Sequence, residues 1–346
     1  MRLALLPRLA FAASLLAALP LAASAAPESR PGLVPIAVHA ERIERFGRFG
    51  EATRFGEFEF RGGLVLSSSA PRFGGLSGFD LRADGERFVA VSDLGMWLTG
   101  RLLRSAGHLD GIAETRWGPM LNAEGRPLAR RRDADAESLS LGPGGAYVSF
   151  ERSNDLKFYR FTKDPGLARP RPVALPRAAR GLVRNKGLET VALAPIDGPL
   201  AGAPVVVAER SLDAAGNHRA FVVSGPRAGA FSLVRSDDYD VTDGAFMPNG
   251  DLLLLERRVT AIPIAVGMRL RRIAGDAIRP GAVVDGPVAL EASMAEQIDN
   301  MEGLAISTDP DGRMRVTIVS DDNISGFQRT MLVEFVWLGP DVAANE

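Results

Sequence analysis

The feature that most restricts the fold of this chain is a hairpin pattern that occurs five times. Each copy begins with a short apolar strand, turns through a segment containing Gly or Pro, and continues into a second apolar strand. Turns such as Asp84-Gly85 and Asn249-Gly250 are typical of tight connections between antiparallel strands. The copies begin 52 to 60 residues apart, at Ser77, Glu137, Glu189, Asp243 and Glu302.

Further strand-like runs separate the copies, among them LKFYRFT, AFVVSG, MRLRRIA and MLVEFVWL. A hairpin with one or two added strands, repeated at this period, predicts an all-β fold with a single β-propeller over residues 34–340. The last copy has room for about three strands. We therefore expect the N-terminal segment GEFEFRGGLVLSSS to supply its missing strand and close the ring. Five repeats allow five blades, or six if residues 34–74 form one more. The alternative architecture is a β-sandwich followed by a small second domain.

Residues 1–26 have the pattern of a cleaved secretory signal. Arg2 and Arg8 flank an apolar run rich in Leu and Ala, and the small residues Ala23, Ser24 and Ala25 follow it. This predicts a periplasmic or secreted protein. The alternative is a membrane anchor, but Pro20 interrupts the run and no other segment approaches the roughly 20 apolar residues that span a bilayer.

Composition excludes several classes of partner and site. The 346-residue chain has no Cys and a formal charge of −1, which becomes −3 when the two arginines of the predicted leader are removed. A disulfide scaffold, a thiol nucleophile and a cysteine zinc site are therefore excluded. The balanced charge gives no reason to expect nucleic acid as a partner. We expect a monomer that acts on a small molecule.

Acids mark the two ends of nearly every hairpin. In a propeller, the start of the first strand and the end of the second strand of each blade meet at one mouth of the central channel. Two carboxylates about 4 Å apart repel by about 4 kcal/mol at an effective dielectric constant of about 20. A ring of acids therefore needs counter-charge. The nine predicted ring acids are Asp93, Glu137, Glu151, Glu189, Glu209, Asp243, Glu256, Glu302 and Asp321, with Ser77 in the tenth place.

Two sources of counter-charge are open. Basic residues lie beside several of the acids, namely Arg152, Arg210, Arg257 and Lys186, and they would tie the blades together by ion pairs. Alternatively, the acids bind divalent cations. Oxygen ligands without Cys favour calcium, with magnesium also possible, over zinc. The carboxylates of Asp133, Asp135, Asp237 and Asp238 are interpreted either as solvated loop residues, which we favour for most of them, or as outer metal ligands. His108 and His218 are interpreted as solvated side chains in turns.

Eight short motifs in order resemble one known family. They are GGLSGFD, AVSDLG, DAESLS, SFER, KGLETVALAP, TDGAFMPNGDLLLLERR, DNMEGLAIS and VSDDN, and they extend from about Gly74 to Val336. Together they resemble the exported bacterial family called "esterase-like activity of phytase". The resemblance implies a β-propeller related to calcium-dependent phytases and phosphatases, with the acids of the mouth as metal and substrate site. It also implies phosphoester or carboxylic ester hydrolysis.

Two hypotheses of function follow. In the first, the protein is a metal-dependent hydrolase of phosphate or other esters, and metal-bound water attacks the ester while basic residues stabilise negative charge. The residues predicted to take part in catalysis are Glu137, Glu189, Asp243, Glu302, Arg152, Arg257 and Lys186. In the second, the protein is a non-catalytic propeller that binds a ligand or partner at the mouth. The ring would then be held by a structural metal or by the arginines.

Overall fold

The chain folds as a five-bladed β-propeller. The computed structural model describes residues 31–128, 130–261 and 264–340. These residues form five sheets, and the first strands of the five repeats contact one another in a closed circle. The predicted all-β propeller is thus confirmed. The predicted leader, residues 1–26, lies outside the described residues. Among the residues that are described, no helix has the length and apolar character needed to cross a membrane.

The strands follow the repeats closely. Before the first repeat the chain forms β1 (Val34–Pro35), β2 (His39–Ile43), β3 (Arg54–Phe55) and β4 (Phe58–Ser67). Blade 1 contains β5 (Leu76–Leu81), β6 (Arg87–Ser92), β7 (Met96–Ser105) and β8 (His108–Pro119). After the short helix α1 (Arg131–Ala134), blade 2 contains β9 (Ala136–Gly142), β10 (Gly145–Phe150), β11 (Asp155–Arg160) and β12 (Pro170–Val173).

The remaining blades have the same plan. A 3-10 turn (Arg177–Ala179) leads to blade 3, which contains β13 (Leu188–Leu193), β14 (Pro204–Leu212), β15 (His218–Val222) and β16 (Gly229–Leu233). Blade 4 contains β17 (Asp240–Phe246), β18 (Leu252–Ala261) and β19 (Ile264–Ile273). A second 3-10 turn (Gly275–Ala277) and β20 (Val283–Val284), which pairs with β16, precede its last strand, β21 (Val288–Ala292). Blade 5 contains β22 (Asn300–Thr308), β23 (Met314–Asp321) and β24 (Thr330–Trp337).

The two ends of the described chain close the ring, as predicted. Strand β4 pairs with β24 in antiparallel register, with Gly63 opposite Val333, and so completes blade 5. The segment that precedes β4 does not form a sixth blade. Strand β1 pairs with β8 at the edge of blade 1, while β2 and β3 pair with β4.

Each blade packs between two others, which explains its continuous apolar strands. The run Leu252–Leu255 in β18 is an example, because its four side chains are all buried. Leu252 and Leu254 join a core cluster shared with blade 3, whereas Leu253 and Leu255 join one shared with blade 5. Alternate side chains of a strand point to opposite faces, so both faces of this blade are covered. Truncating any of these leucines to Ala would cost about 2–5 kcal/mol.

Strand direction defines the end of the ring that carries the acids. The inner strands β5, β9, β13, β17 and β22 line the axis, and the acids at the starts of three of them converge. Each second strand runs antiparallel to its inner strand and therefore ends on the same side. We call this end of the ring the mouth.

Candidate active site at the mouth of the ring

Every inner strand contains a β-bulge next to its start. One residue of the inner strand has no partner in the second strand, while the residues on either side of it pair with consecutive residues there. A bulge of this kind re-aims one side chain out of the ordinary alternation. The five bulged residues are Ser77, Glu137, Glu189, Thr242 and Glu302.

The second strand of each blade contributes one more side chain beside the bulge. In blade 2, for example, Phe150 pairs with Ala136 just before the bulge, and Glu151 follows it. In every blade, the equivalent residue of the second strand is the one that directly follows the partner of the residue before the bulge. These residues are Asp93, Glu151, Glu209, Arg257 and Asp321. The mouth is therefore built from ten equivalent positions, of which seven hold a carboxylate.

Six acids converge into three overlapping groups. Within each group the potential ligand oxygens lie within 4.8 Å of one another. Glu137, Glu151 and Glu189 each belong to two groups, so they form the middle of the cluster. The groups are Asp135 with Glu137 and Glu151; Glu137 with Glu189 and Glu302; and Glu151 with Glu189 and Glu209.

Asp135 is a member of the cluster that the predicted ring acids do not include, because the sequence left it open between a loop residue and an outer ligand. It follows α1 and is buried, and its carboxylate lies 2.9 Å from Nε of Arg152. Its spacing from Glu137 is the signal that was overlooked. Two residues of chain span at most about 7 Å, so a carboxylate this close to a ring acid can reach the same site.

The electrostatic surroundings of the cluster strongly disfavour negative charge. Burial raises the pKa of Glu189 well above its usual value, and four neighbouring carboxylates raise it further. Burial and the charge of Glu302 have the same effect on the pKa of Glu137. Burial also raises the pKa of Glu151, although a hydrogen bond with Glu189 opposes the change. The cluster thus either holds protons or requires positive charge from outside.

Asp93 and Asp321 border the cluster without belonging to the three groups. Burial, and then the charge of Glu302, raise the pKa of Asp321 to about 8, and the charge of Asp93 contributes to this shift. Asp93 also raises the pKa of Glu137. Asp93 therefore acts on the cluster through its charge, whereas Asp321 tends to keep its proton.

Three basic residues partly neutralise the acids. Arg257 donates hydrogen bonds from Nη1 to Asn300 and Glu302, and its Nη2 lies 3.9 Å from Glu209. Burial alone would lower the pKa of Arg257, but the charges of the surrounding acids outweigh burial and raise it. Nζ of Lys186 lies 3.1 Å from the other oxygen of Glu209. Arg152 pairs with Asp135 at the edge.

Two of the predicted ring acids lie elsewhere because blade 4 is shifted by one residue. Its bulge falls on Thr242 and not on Asp243. Asp243 accepts hydrogen bonds of 2.7 Å from Oγ of Ser138 and from the backbone N–H of Leu304. It therefore connects three blades within the ring and belongs to none of the three acid groups.

The same shift moves Glu256 away from the mouth. This fully buried carboxylate pairs with Arg269 and Arg271, with N···O distances of 2.5 Å in each pair. Arg210 does not reach the cluster either, since it pairs with Asp240. These ion pairs are structural ties of the kind that the sequence left open as an alternative.

The expectation that His218 is a solvated side chain was wrong. His218 begins β15 and is fully buried, and its Nδ1 lies 2.5 Å from the backbone oxygen of Glu209. His108, at the start of β8, is exposed as expected. No histidine of the described residues joins the acid groups.

The donor set fits a hard divalent cation. It consists of carboxylates alone, which calcium and magnesium prefer and zinc does not require. Each of the three groups offers ligand oxygens within 4.8 Å of one another, a spacing that one ion can bridge.

One cavity lies away from these acids. A cavity of about 550 Å³ lies between blades 1 and 2, and its lining includes Arg87 and Asp164. Its acids are already paired, for example Asp164 with Arg116 at 2.7 Å and Asp84 with Arg87 at 3.0 Å. We therefore assign the candidate site to the converging acids of the mouth and not to this cavity.

Fold and site together define a five-bladed propeller with a carboxylate-rich mouth. The family model described as "Phytase-like: Esterase-like activity of phytase" matches residues 71–324. The chain belongs to this family. The search of curated proteins finds no match.

Similar solved structures include a PQQ-bound aldose sugar dehydrogenase from Streptomyces coelicolor, with 11% identity and a TM-score of 0.43, covering 89% of this chain and 100% of that one. A complex from S. cerevisiae that contains Nup159 also matches, with 12% identity and a TM-score of 0.38, covering 85% of this chain and 98% of that one.

Proposed function

We propose that the protein is an exported, calcium-dependent hydrolase of phosphate or other esters whose site is the acid cluster of the mouth. The observation that carries this proposal is the convergence of Asp135, Glu137, Glu151, Glu189, Glu209 and Glu302, with ligand oxygens within 4.8 Å in each group. Membership of the phytase-like family supports the reaction class. Magnesium is the second candidate ion, and the periplasm or the medium is the expected location.

The residues of the chain have distinct roles in this proposal. Asp135, Glu137 and Glu151, which form one of the groups, would hold the cation, and Glu189 lies beside them. A bound divalent ion polarises the ester oxygens and lowers the pKa of a bound water. Lys186 and Arg152 border the cluster with side chains that are 41% and 34% exposed, so each can contact an anionic oxygen of the substrate from outside. Hydrolysis adds water across the ester bond and releases an alcohol and an acid.

A direct test measures turnover of chromogenic esters. The purified protein is treated with a chelator, and hydrolysis of p-nitrophenyl phosphate and p-nitrophenyl acetate is followed before and after calcium is restored. We expect activity to be lost and then recovered, and Glu137→Gln to reduce it at least tenfold. The matched control is Asp311→Asn, which removes a charge at an exposed side chain that pairs with Arg313. Asp311→Asn should leave the rates of ester hydrolysis, and their response to chelator and calcium, unchanged.

Two results would overturn this proposal. Hydrolysis that is unchanged by the chelator would show that the reaction does not depend on a bound divalent cation. If calcium raises the melting temperature but neither ester is hydrolysed, the protein is a binding propeller, because a ligand that prefers the folded state stabilises it without any reaction.

A further inference from the structure

Blade 4 departs from the other blades at both of its mouth positions. Where three blades place Glu at the bulge, blade 4 places Thr242, which hydrogen-bonds the backbone oxygen of Met301 at 3.1 Å. Where the other four blades place an acid beside the bulge on the side of the second strand, blade 4 places Arg257. One blade thus contributes a positive charge and no carboxylate to the ring.

The position of Arg257 divides the mouth into two sides. Its guanidinium bonds Glu302 and Asn300 and lies 3.9 Å from Glu209, which Lys186 also contacts. The opposite side is formed by Asp135, Glu137 and Glu151, and of these only Asp135 has a basic partner among the described ion pairs, Arg152. Glu189 lies between the two sides, because it shares a group with acids of each.

We infer that Arg257 is a built-in cation that fills one of two cation positions in the ring and confines divalent metal to the side of Asp135, Glu137 and Glu151. This inference rests on the proposed binding of a divalent cation at the mouth. Arg257 is then a positioning residue, which acts by determining where the ion lies.

The physical argument is one of charge and space. A guanidinium and a divalent ion at contact distance repel twice as strongly as two single charges do. A guanidinium cannot lose its proton under ordinary conditions, so the repulsion is permanent. Arg257 also holds one oxygen of Glu302 in a directed hydrogen bond, which makes that oxygen less available as a ligand. A second ion beside Glu209 and Glu302 is therefore excluded while Arg257 is present.

The test replaces Arg257 and counts bound ions. Calcium binding to the mature protein is measured by titration calorimetry and by native mass spectrometry. We expect Arg257→Gln to bind one more calcium ion per chain than the unaltered protein. Arg257→Lys keeps the positive charge and should bind the same number as the unaltered protein. Arg210→Gln is the matched control, because Arg210 pairs with Asp240 outside the acid groups.

The outcomes separate this inference from the proposed function. If Arg257→Gln and the unaltered protein bind the same number of ions, the inference is overturned even if both bind calcium. If the unaltered protein binds none but Arg257→Gln binds one, the proposed calcium dependence fails while the role of Arg257 is supported. If Arg257→Gln is unstable, the folded fraction of the variants is measured by circular dichroism in chelator and in calcium. The inference requires calcium to restore folding in Arg257→Gln and to have no such effect in Arg257→Lys.

Discussion

Arg257 and Glu209 occupy equivalent positions in adjacent blades, and a guanidinium nitrogen of Arg257 lies 3.9 Å from a carboxylate oxygen of Glu209. In the three other blades this position also holds an acid. Positive charge therefore enters the ring from blade 4, on the side of Glu209 and Glu302. The acids of the middle, above all Glu137 and Glu189, remain without a basic partner among the described ion pairs, and their raised pKa values reflect this.

The substitution Glu189→Gln should stabilise the metal-free protein. Glu189 is buried among like charges that raise its pKa, so ionisation at pH 8 opposes folding. Gln has nearly the same shape and no charge. We expect the melting temperature in chelator at pH 8 to rise by a few degrees, which corresponds to about 1 kcal/mol. We also expect the rise caused by calcium to be smaller than in the unaltered protein.

Asp311→Asn serves as the control for this change, because it removes a charge from a side chain that is 74% exposed. It should alter neither the melting temperature in chelator nor the response to calcium. A lower melting temperature for Glu189→Gln in chelator would mean that the carboxylate is needed to hold the blades together, contrary to the arrangement described above.

Replacing Glu256 with Gln should destabilise the protein, in contrast to the same replacement at Glu189. Glu256 is fully buried and pairs with both Arg269 and Arg271. Removing one partner of a buried ion pair leaves uncompensated charge, which costs about 3–5 kcal/mol. We expect Glu256→Gln to lower the free energy of unfolding by this amount in urea denaturation, while the melting temperature still rises with calcium. Loss of that rise would show that Glu256 belongs to the cation site after all.

Much of the fold was predictable because the repeats are local. A hairpin with an apolar pattern and a tight turn specifies its own pairing, and five copies at a regular period specify a ring. Convergence of acids such as Glu137, Glu189 and Glu302 then follows from the geometry of the ring alone. None of these predictions depends on the register of a strand to within one residue.

The composition of the site was less predictable because bulges are not visible in the sequence. The motif beginning at Asp243 resembles those beginning at Glu189 and Glu302, and all three were aligned by their acids. The bulge in blade 4 lies one residue earlier, at Thr242. A shift of one residue sends a side chain to the other face of a strand. Arg257 consequently takes the position assigned to Glu256.

This register difference predicts different responses of two acids that look equivalent in the sequence. Asp243 bonds Ser138 and the N–H of Leu304 inside the ring, whereas Glu137, which also begins a repeat, belongs to two of the acid groups at the mouth. We expect Asp243→Asn to keep the calcium-induced rise in melting temperature, and Glu137→Gln to reduce it by at least half. Scanning calorimetry with chelator and with calcium measures both. Equal losses in the two variants would contradict the register.

Asp80 should make stability depend on pH through a group that belongs to none of the acid groups of the mouth. It lies on β5 and accepts 2.7 Å hydrogen bonds from the backbone N–H groups of Leu81 and Leu141. Burial raises its pKa from 3.8 to about 7, although these hydrogen bonds act in the opposite direction.

The sign of the effect follows from proton uptake. Below pH 4 the carboxyl is protonated in both the folded and the unfolded chain, so it contributes nothing. Between about pH 4 and pH 7 the unfolded chain has lost the proton while the folded chain still holds it, so the free energy of unfolding falls as pH rises. Above about pH 8 the loss is complete and amounts to a few kcal/mol at most, since each pKa unit corresponds to about 1.4 kcal/mol.

Asn does not ionise, so Asp80→Asn abolishes this dependence on pH. Relative to the unaltered protein, the free energy of unfolding of Asp80→Asn should therefore increase as pH rises. Asn can accept only one of the two hydrogen bonds with its single oxygen, which lowers stability equally at every pH. The informative quantity is thus the difference in free energy of unfolding between Asp80→Asn and the unaltered protein, measured in urea at pH 5 and at pH 9 with chelator present. We expect this difference to shift in favour of Asp80→Asn at pH 9. A difference that stays constant across this range would mean that Asp80 ionises in the folded protein as readily as it does in the unfolded chain.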